Sequence, residues 1–290
     1  MNIISVYQTF PREEDCLAHI EKVKWNNTPK CPYCQSFNQT PLPKESRYHC
    51  NNCNTTFSVT VGTIFHQTHL DLQKWFLAIA LVLNAKKGIS ARQLGRDLEV
   101  NKDTAWRMGM KIRQAMTQQT QRELLTGVVE MDETYIGGKP RRGSNDGKPN
   151  PRGRGTKKTP VVGMIERDGK IRAKVIKNKK LNMKTLASLV RENVDTDNAT
   201  LITDEYGGYF GIKRFMAHRV VEHKVWYVNG DTHTNNIESF WALLKRGIVG
   251  QYHKVSLRYL PKYIDEFCYR HNNRKCEDLF GLTLQRAMGV

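Results

Sequence analysis

Apolar and polar positions change their spacing along the chain, and the changes mark four segments. Residues 1 to about 25 form a short amphipathic opening in which Glu13, Glu14 and Asp15 follow Pro11, the signature of a helix start. Residues 28–66 alternate in short strand-like pieces around paired cysteines. Residues 67–122 carry helical spacing in three pieces. Leu70 to Asn84 is strongly apolar and stops near Gly88; Ser90 to Leu98 has Ser90 as its N-cap; Asn101 to Met116 has Asn101 or Asp103 available as cap. Residues 123–290 alternate between strands and helices. Val128-Val129-Glu130-Met131-Asp132 lies in a predicted strand from Gly127 to Tyr135. Pro160–Ile165 and Lys170–Ile176 read as a hairpin around Asp168-Gly169. A helix from Asn182 to Asn193, a short apolar run from Ala199 to Thr203 and a strand from His218 to His223 follow. The last element read is a helix from Asn235 to Gly247 with Ile237, Trp241 and Leu244 on one stripe.

This order predicts a multidomain α+β protein. Its C-terminal part is a mixed sheet flanked by helices. The tight link Glu99-Val100-Asn101 between two helices suits a helix-turn-helix, whose second helix would turn Lys102, Thr104, Arg107 and Lys111 toward DNA. An ordinary three-helix packing module has similar spacing.

Charge narrows the partner. The 290 residues carry 46 Lys+Arg against 28 Asp+Glu, a net charge of +18 with a pI near 9.7. A polyanion is expected, nucleic acid first, because phosphate neutralisation supplies sequence-independent affinity; the plainer alternative is a lysine-rich surface. A chain this long buries roughly 75% of its unfolded surface, so it needs no disulfide framework. The longest unbroken apolar run, Trp75 to Leu83, is under half of the roughly 20 residues a membrane span requires. The first ten residues hold neither Lys nor Arg, so no signal peptide and a cytoplasmic location are expected, with thiols reduced.

Reduced cysteines then need a use. Cys31-Pro-Tyr-Cys34 and Cys50-Asn-Asn-Cys53 are two knuckles at the spacing of a zinc ribbon. Four thiolates close a tetrahedral site around one structural Zn2+ per chain, with no open position for catalysis. Cys16, Cys268 and Cys276 lack ligand spacing and are expected to be buried as small hydrophobes.

Three carboxylates occupy places that suit a second kind of metal chemistry. Asp132 and Asp204 end apolar strands, and Glu238 lies on a helix. Acids drawn from separate elements can hold two divalent ions, Mg2+ or Mn2+, for an in-line phosphoryl displacement. Each acid has a competitor or a plainer role: Glu130 shares the Asp132 face of its strand, Asp231 competes with Glu238, and an Asp after a strand commonly serves a turn. Lys245 follows Glu238 by two helical turns on one face. Between the first two strands, the loop 138–160 carries Lys139, Arg141, Arg142, Lys148, Arg152, Arg154, Lys157 and Lys158 with Asp146 as its one acid. Its prolines and glycines prevent regular structure, leaving a cationic arm for DNA phosphate or a solvated linker.

Together, Met131-Asp132-Glu133-Thr134-Tyr135-Ile136-Gly137-Gly138-Lys139, Thr203-Asp204-Glu205-Tyr206 and His233-Thr234-Asn235-Asn236-Ile237-Glu238-Ser239-Phe240-Trp241 with Leu244-Lys245-Arg246 resemble the DDE transposases of bacterial insertion sequences. More narrowly, they resemble the insertion sequence fifteen-ninety-five, or ISXO-like, group. The resemblance covers roughly residues 10 to 275. It implies an N-terminal zinc ribbon, a helical DNA-binding segment and a ribonuclease-H-like catalytic core. The family's first, second and third acids fall on Asp132, Asp204 and Glu238, and its following Lys on Lys245. It further implies strand cleavage and transfer on double-stranded DNA (element ends and target), a homodimer or higher oligomer, and a bacterial, nucleoid-associated location. Some members carry Asn at the third acid; Glu here favours an active enzyme. The rival readings are a DNA-binding regulator with an inert C-terminal domain and a metal-dependent nuclease without strand transfer. The expected division is 1–27, 28–66, 67–122 and 123–290.

Overall fold

The computed structural model describes residues 1–117, 123–137, 156, 158–177, 181–221 and 233–289. The chain divides into two compact units. One is Met1–Met116 with Cys276–Val290, the other Thr117–Lys275.

The first unit contains α1 (Ile3–Thr9), α2 (Glu13–Trp25), the antiparallel strands β1 (Gln39–Leu42), β2 (Arg47–Cys50) and β3 (Thr55–Phe57), then α3 (Leu72–Asn84), α4 (Ala91–Asp97) and α5 (Lys102–Ala115). The expected caps are present: Ser90 accepts from the Gln93 N–H, and Asn101 from the N–H groups of Asp103 and Thr104. Gly95 is required where the chain turns from α4 to α5, because a Cβ there would sit 2.9 Å from the Val100 carbonyl oxygen. Apolar α3 is the centre of this unit; Phe76 meets Phe10 edge-on at 4.9 Å.

The two units group the segments read from the sequence. The segments 1–27, 28–66 and 67–116 fall in one compact unit: Lys24 on α2 donates to the carbonyls of Val59 and Val61 at 2.8 and 2.6 Å, and Trp25 packs edge-on against Phe57. The tail 276–290, assigned to the C-terminal domain on sequence, belongs to the first unit. Its helix α9 (Leu279–Ala287) sets Phe280 5.8 Å from Phe76, and the Ala287 carbonyl accepts from the Ile64 N–H. No local periodicity announces that return, because its partner surface lies some 200 residues earlier in the chain.

The second unit is a five-stranded sheet in the order β6-β5-β4-β7-β8, with β4 (Leu125–Ile136), β5 (Thr159–Glu166), β6 (Ile171–Val175), β7 (Val194–Asp204) and β8 (Ala217–Val221). Strands β4, β5 and β6 pair antiparallel; β4–β7 and β7–β8 pair parallel. The β5–β6 hairpin turns at Asp168, whose φ of +58° accounts for the Asp-Gly signal. Helix α6 (Met183–Asn193), capped by Asn182, packs Leu186, Leu189 and Val190 on one sheet face, against Val129, Met131 and Leu201. On the other face α7 (Asn235–Gly247) and α8 (Leu260–Asn272) cover Ile136, Val161 and Ile165 with Ile237, Trp241, Leu244, Ile264 and Phe267. Helices on both faces of a mixed sheet are what the sequence pattern predicted. Helix α7 continues directly into a π-helical turn, Ile248–Tyr252. Among the described residues no helix is long and apolar enough to cross a membrane.

Candidate active site and metal centre

The two cysteine knuckles are built alike. In each, the residue four places after the first cysteine takes a left-handed conformation, Gln35 (φ +63°) and Asn54 (φ +56°), and its N–H donates to that cysteine's carbonyl. The turn folds the second thiol back beside the first. All four Sγ atoms lie within 4.8 Å of one another, with Cys31–Cys53 at 3.7 Å and Cys34–Cys50 at 3.4 Å. Four Zn–S bonds of about 2.3 Å in a tetrahedron set sulfur atoms about 3.8 Å apart, so the donor set fits a closed zinc site. The backbone N–H groups of Cys53 and then Asn52 face the Cys50 sulfur and push its thiol down to about 6, favouring the thiolate that ligates metal. Of the remaining cysteines, Cys16 and Cys268 are buried as expected; Cys276 is exposed, which corrects the expectation for it.

The acidic residues are positioned by pleat and register. On β4, Glu130, Asp132 and Thr134 share the face that looks toward α7, while Val129, Met131 and Glu133 look toward α6. The parallel pairing of Glu130 with Ile202 brings Asp132 and Asp204 level two residues further on. Asp132 also pairs with Gly163 of β5, and this glycine lets α7 lie down on the sheet: a Cβ there would meet Trp241 ring carbons at 2.6 and 2.7 Å and Ile237 Cδ1 at 2.9 Å. Glu238 lies between those two residues in sequence, in the first turn of α7, and accepts from the Thr234 hydroxyl at 2.8 Å. Burial, and then the charges of Glu133, Asp204 and Glu238, push Asp132 up to about 7. Such convergence of negative charge is what a divalent cation relieves, so the carboxylates fit hard-metal ligation. Among the described residues, the cysteines are the one group whose ligand atoms already converge on a common point. Lys245 is exposed in the last turn of α7.

Glu130, the rival for Asp132, has a different task. It is fully buried and accepts from the backbone N–H groups of Asn236 (2.9 Å) and Ile237 (3.2 Å), from Asn236 Nδ2 (2.8 Å) and from Arg167 Nε (3.0 Å). Arg167 also donates to the His233 carbonyl. His233 Nδ1 lies 3.3 Å from the same carboxylate without hydrogen-bond alignment. Glu130 thus satisfies the open N–H groups at the start of α7 and ties that helix to the strand carrying Asp132. The sequence showed Glu130 only as a competitor; nothing local marks its partners, 37 residues away for Arg167 and 106 and 107 for Asn236 and Ile237. On the opposite sheet face, the buried Tyr209 hydroxyl donates to Glu133 at 2.7 Å.

The predicted DNA contacts fare unequally. Lys102 and Arg107 are exposed on α5, and Thr104 is half-buried. Lys111 is turned inward: its ammonium donates to the Ile64 carbonyl at 2.8 Å and the His66 carbonyl at 3.3 Å and lies over the Trp75 ring, and burial lowers its pKa. A helix presents only part of its circumference to solvent, and position 111 faces the first unit's own loop. Lys139, Arg141, Arg142, Arg152, Arg154 and Lys157, and the competitor Asp231, lie outside the described residues. Lys158 is half-buried, its aliphatic stem over Gly137.

Comparison with known proteins covers both units. Residues 124–272 match the ISXO2-like transposase domain, and residues 11–56 match a transposase zinc-ribbon domain. The chain is 29% identical over 277 residues to an uncharacterized protein in transposable element ISH50 of Halobacterium salinarum, covering 91% of this chain and 92% of that protein. Among solved structures it is similar to a chain of the Mos1 strand transfer complex (TM-score 0.33, 13% identity, 71% of this chain and 75% of that one). A chain of the pre-cleavage Mos1 transpososome is also similar (TM-score 0.29, 13% identity, 73% and 77%).

Proposed function

The chain belongs to the ISXO2-like transposase family, and from that premise we propose that it binds the terminal inverted repeats of its own insertion sequence, frees 3′-hydroxyl ends and joins them to target DNA. Asp132, Asp204 and Glu238 are the catalytic carboxylates. The observation that supports this reading is their placement on one sheet face: two aspartates level on adjacent parallel strands, a glutamate on the helix laid across that face, and Asp132 raised to about 7 by burial and then by the charges of Glu133, Asp204 and Glu238. The strand order, three antiparallel strands extended by two parallel ones, supports a ribonuclease-H-like core.

Each side chain has a definable task. Asp132 and Asp204 supply rigid oxygen ligands because both sit on hydrogen-bonded strands. Glu238 supplies a ligand from a helix whose position is set by Gly163 and by the Glu130 clamp. Lys245, two turns on, neutralises a phosphate of the bound strand. Mg2+ or Mn2+ held by the three acids would activate the attacking hydroxyl and stabilise the leaving oxygen. Cys31, Cys34, Cys50 and Cys53 hold one structural Zn2+. The helix-turn-helix formed by α4 and α5 contacts DNA through Lys102, Thr104 and Arg107, and the loop 138–160 adds phosphate contacts. Joining two element ends requires a homodimer or higher oligomer.

The test combines the protein, labelled element-end DNA, a target plasmid and Mg2+, with Asp204→Ala as control. Joined products from the native protein alone are the expected result. Cleavage without joining would make it a nuclease. Binding without either reaction in both proteins would make it a regulator.

A further inference from the structure

Beyond Lys245, the C-terminal end of α7 leads into a surface with no role in the reading above. Residues 245–264 include Lys245, Arg246, Lys254, Arg258 and Lys262 and no Asp or Glu. Lys245, Arg246, His253, Lys254 and Arg258 are exposed, and Lys245, Arg246, Lys254 and Arg258 form no ion pair with any described carboxylate.

A run of cations is commonly only a solvated face. This one has a built support. The helix widens into the π-helical turn Ile248–Tyr252, a rare geometry concentrated at functional positions. His253 leaves it at φ +57° and ψ −47°, outside the left-handed region that Asn, Asp and His populate, with its Nδ1 3.1 Å from the Val249 carbonyl oxygen. The turn is pinned from beneath. The Tyr252 hydroxyl reaches both oxygens of fully buried Glu266, at 3.2 and 3.3 Å, Arg270 pairs with that carboxylate at 2.6 Å, and the Tyr252 ring packs edge-on against Tyr263 at 4.6 Å. A buried carboxylate and guanidinium under an exposed turn are costly unless they hold a shape. The shape held is an elbow bearing cations on the outside, continuous with the helix that carries Glu238.

Resting on the transposase reading, we propose that this elbow binds the phosphodiester backbone of duplex DNA and extends the path of the bound strand away from the carboxylates. Lys254 and Arg258 are its principal contacts. Neither touches the acidic cluster, so both can be neutralised without changing the proposed metal ligands.

The experiment uses the full-length protein and a fluorescein-labelled duplex, without added Mg2+, titrated by anisotropy across a KCl series. The Lys254→Gln/Arg258→Gln double variant is compared with the parent and with Lys174→Gln/Lys213→Gln, a charge-matched change elsewhere in the second unit. Two lost phosphate contacts lower the slope of log K against log salt by about 1.8. A reduction of that size in the elbow variant, with the control unchanged, supports the proposal. An unchanged slope in a protein that binds DNA, or an equal fall in the control, overturns the elbow alone. A parent that binds no DNA at any salt overturns the transposase reading and the elbow with it.

Discussion

Replacing Gly163 by Ala tests whether the contact of α7 with the sheet sets the third acid. The added methyl would sit 2.6 Å from one Trp241 ring carbon and 2.9 Å from Ile237 Cδ1, whereas ordinary contact begins at 3.4 Å. The indole must therefore withdraw by about 0.8 Å. Trp241 and Ile237 are both buried, so there is no free volume for a side chain to swing into. Relief comes from lifting α7, and Glu238 moves with it. Overpacking of this kind costs about 1–3 kcal/mol. At roughly 2–4 °C per kcal/mol for a domain of this size, the melting temperature falls by about 2–12 °C. A displacement approaching 1 Å at a positioned catalytic group is worth about 100-fold in rate. Calorimetry and single-turnover strand transfer, the latter well below both melting temperatures, separate the two effects. The expected signature is a rate loss far larger than the unfolded fraction explains. Trp241→Phe, which shortens the ring, should partly restore the rate in the Ala background. A Gly163→Ala protein with parental melting temperature and a rate within about a factor of two of the parent would refute the reasoning.

Other substitutions test neighbouring inferences. Glu130→Gln keeps the size of the side chain but leaves Arg167 without its counter-charge and turns an amide toward the α7 N–H groups; a loss of about 3–5 kcal/mol is expected in denaturant unfolding, and a loss below about 1 kcal/mol would contradict the clamp. Cys31→Ser should remove zinc by metal analysis and lower the melting temperature; full zinc content in the folded variant would show that the thiolates are not the ligands. Burial, and then Arg274, push His271 down to about 4, so the fold favours the neutral ring. Its contribution is present above the ordinary histidine value and is lost as pH falls from about 6.5 to about 4. His271→Gln should flatten the stability profile across that window relative to the parent, and parallel profiles would count against it. Lys111→Met should leave the salt slope of DNA binding unchanged, because that ammonium is already spent on backbone carbonyls.

The elements legible in the sequence are those whose cause is local. Helix α7 runs over the predicted residues because its apolar stripe and Gly247 are contiguous, and the Asp168-Gly169 turn follows from one left-handed residue. The cysteine quartet was legible because metal geometry dictates spacing. Strands β4 and β7 proved longer than their apolar runs, since Leu125 pairs with Val194 ahead of a register shift that precedes the Gly127–Ala199 pair. What stayed hidden depends on contacts far apart in the chain: the inward turn of Lys111, the Glu130 clamp, the glycine beneath Trp241 and the return of α9. Periodicity reports which face of an element is buried, and it carries no information about what buries it.

That return of α9 also orders events in time. The first unit begins at residue 1 and is completed by residues 276–287, with the whole second unit encoded between them. During synthesis the sheet of the second unit can close before the first unit is whole, and until Phe280 emerges the Phe76 side of α3 lacks its cover. A chain cut short anywhere before that point has an incomplete zinc-ribbon unit, whatever the state of its sheet.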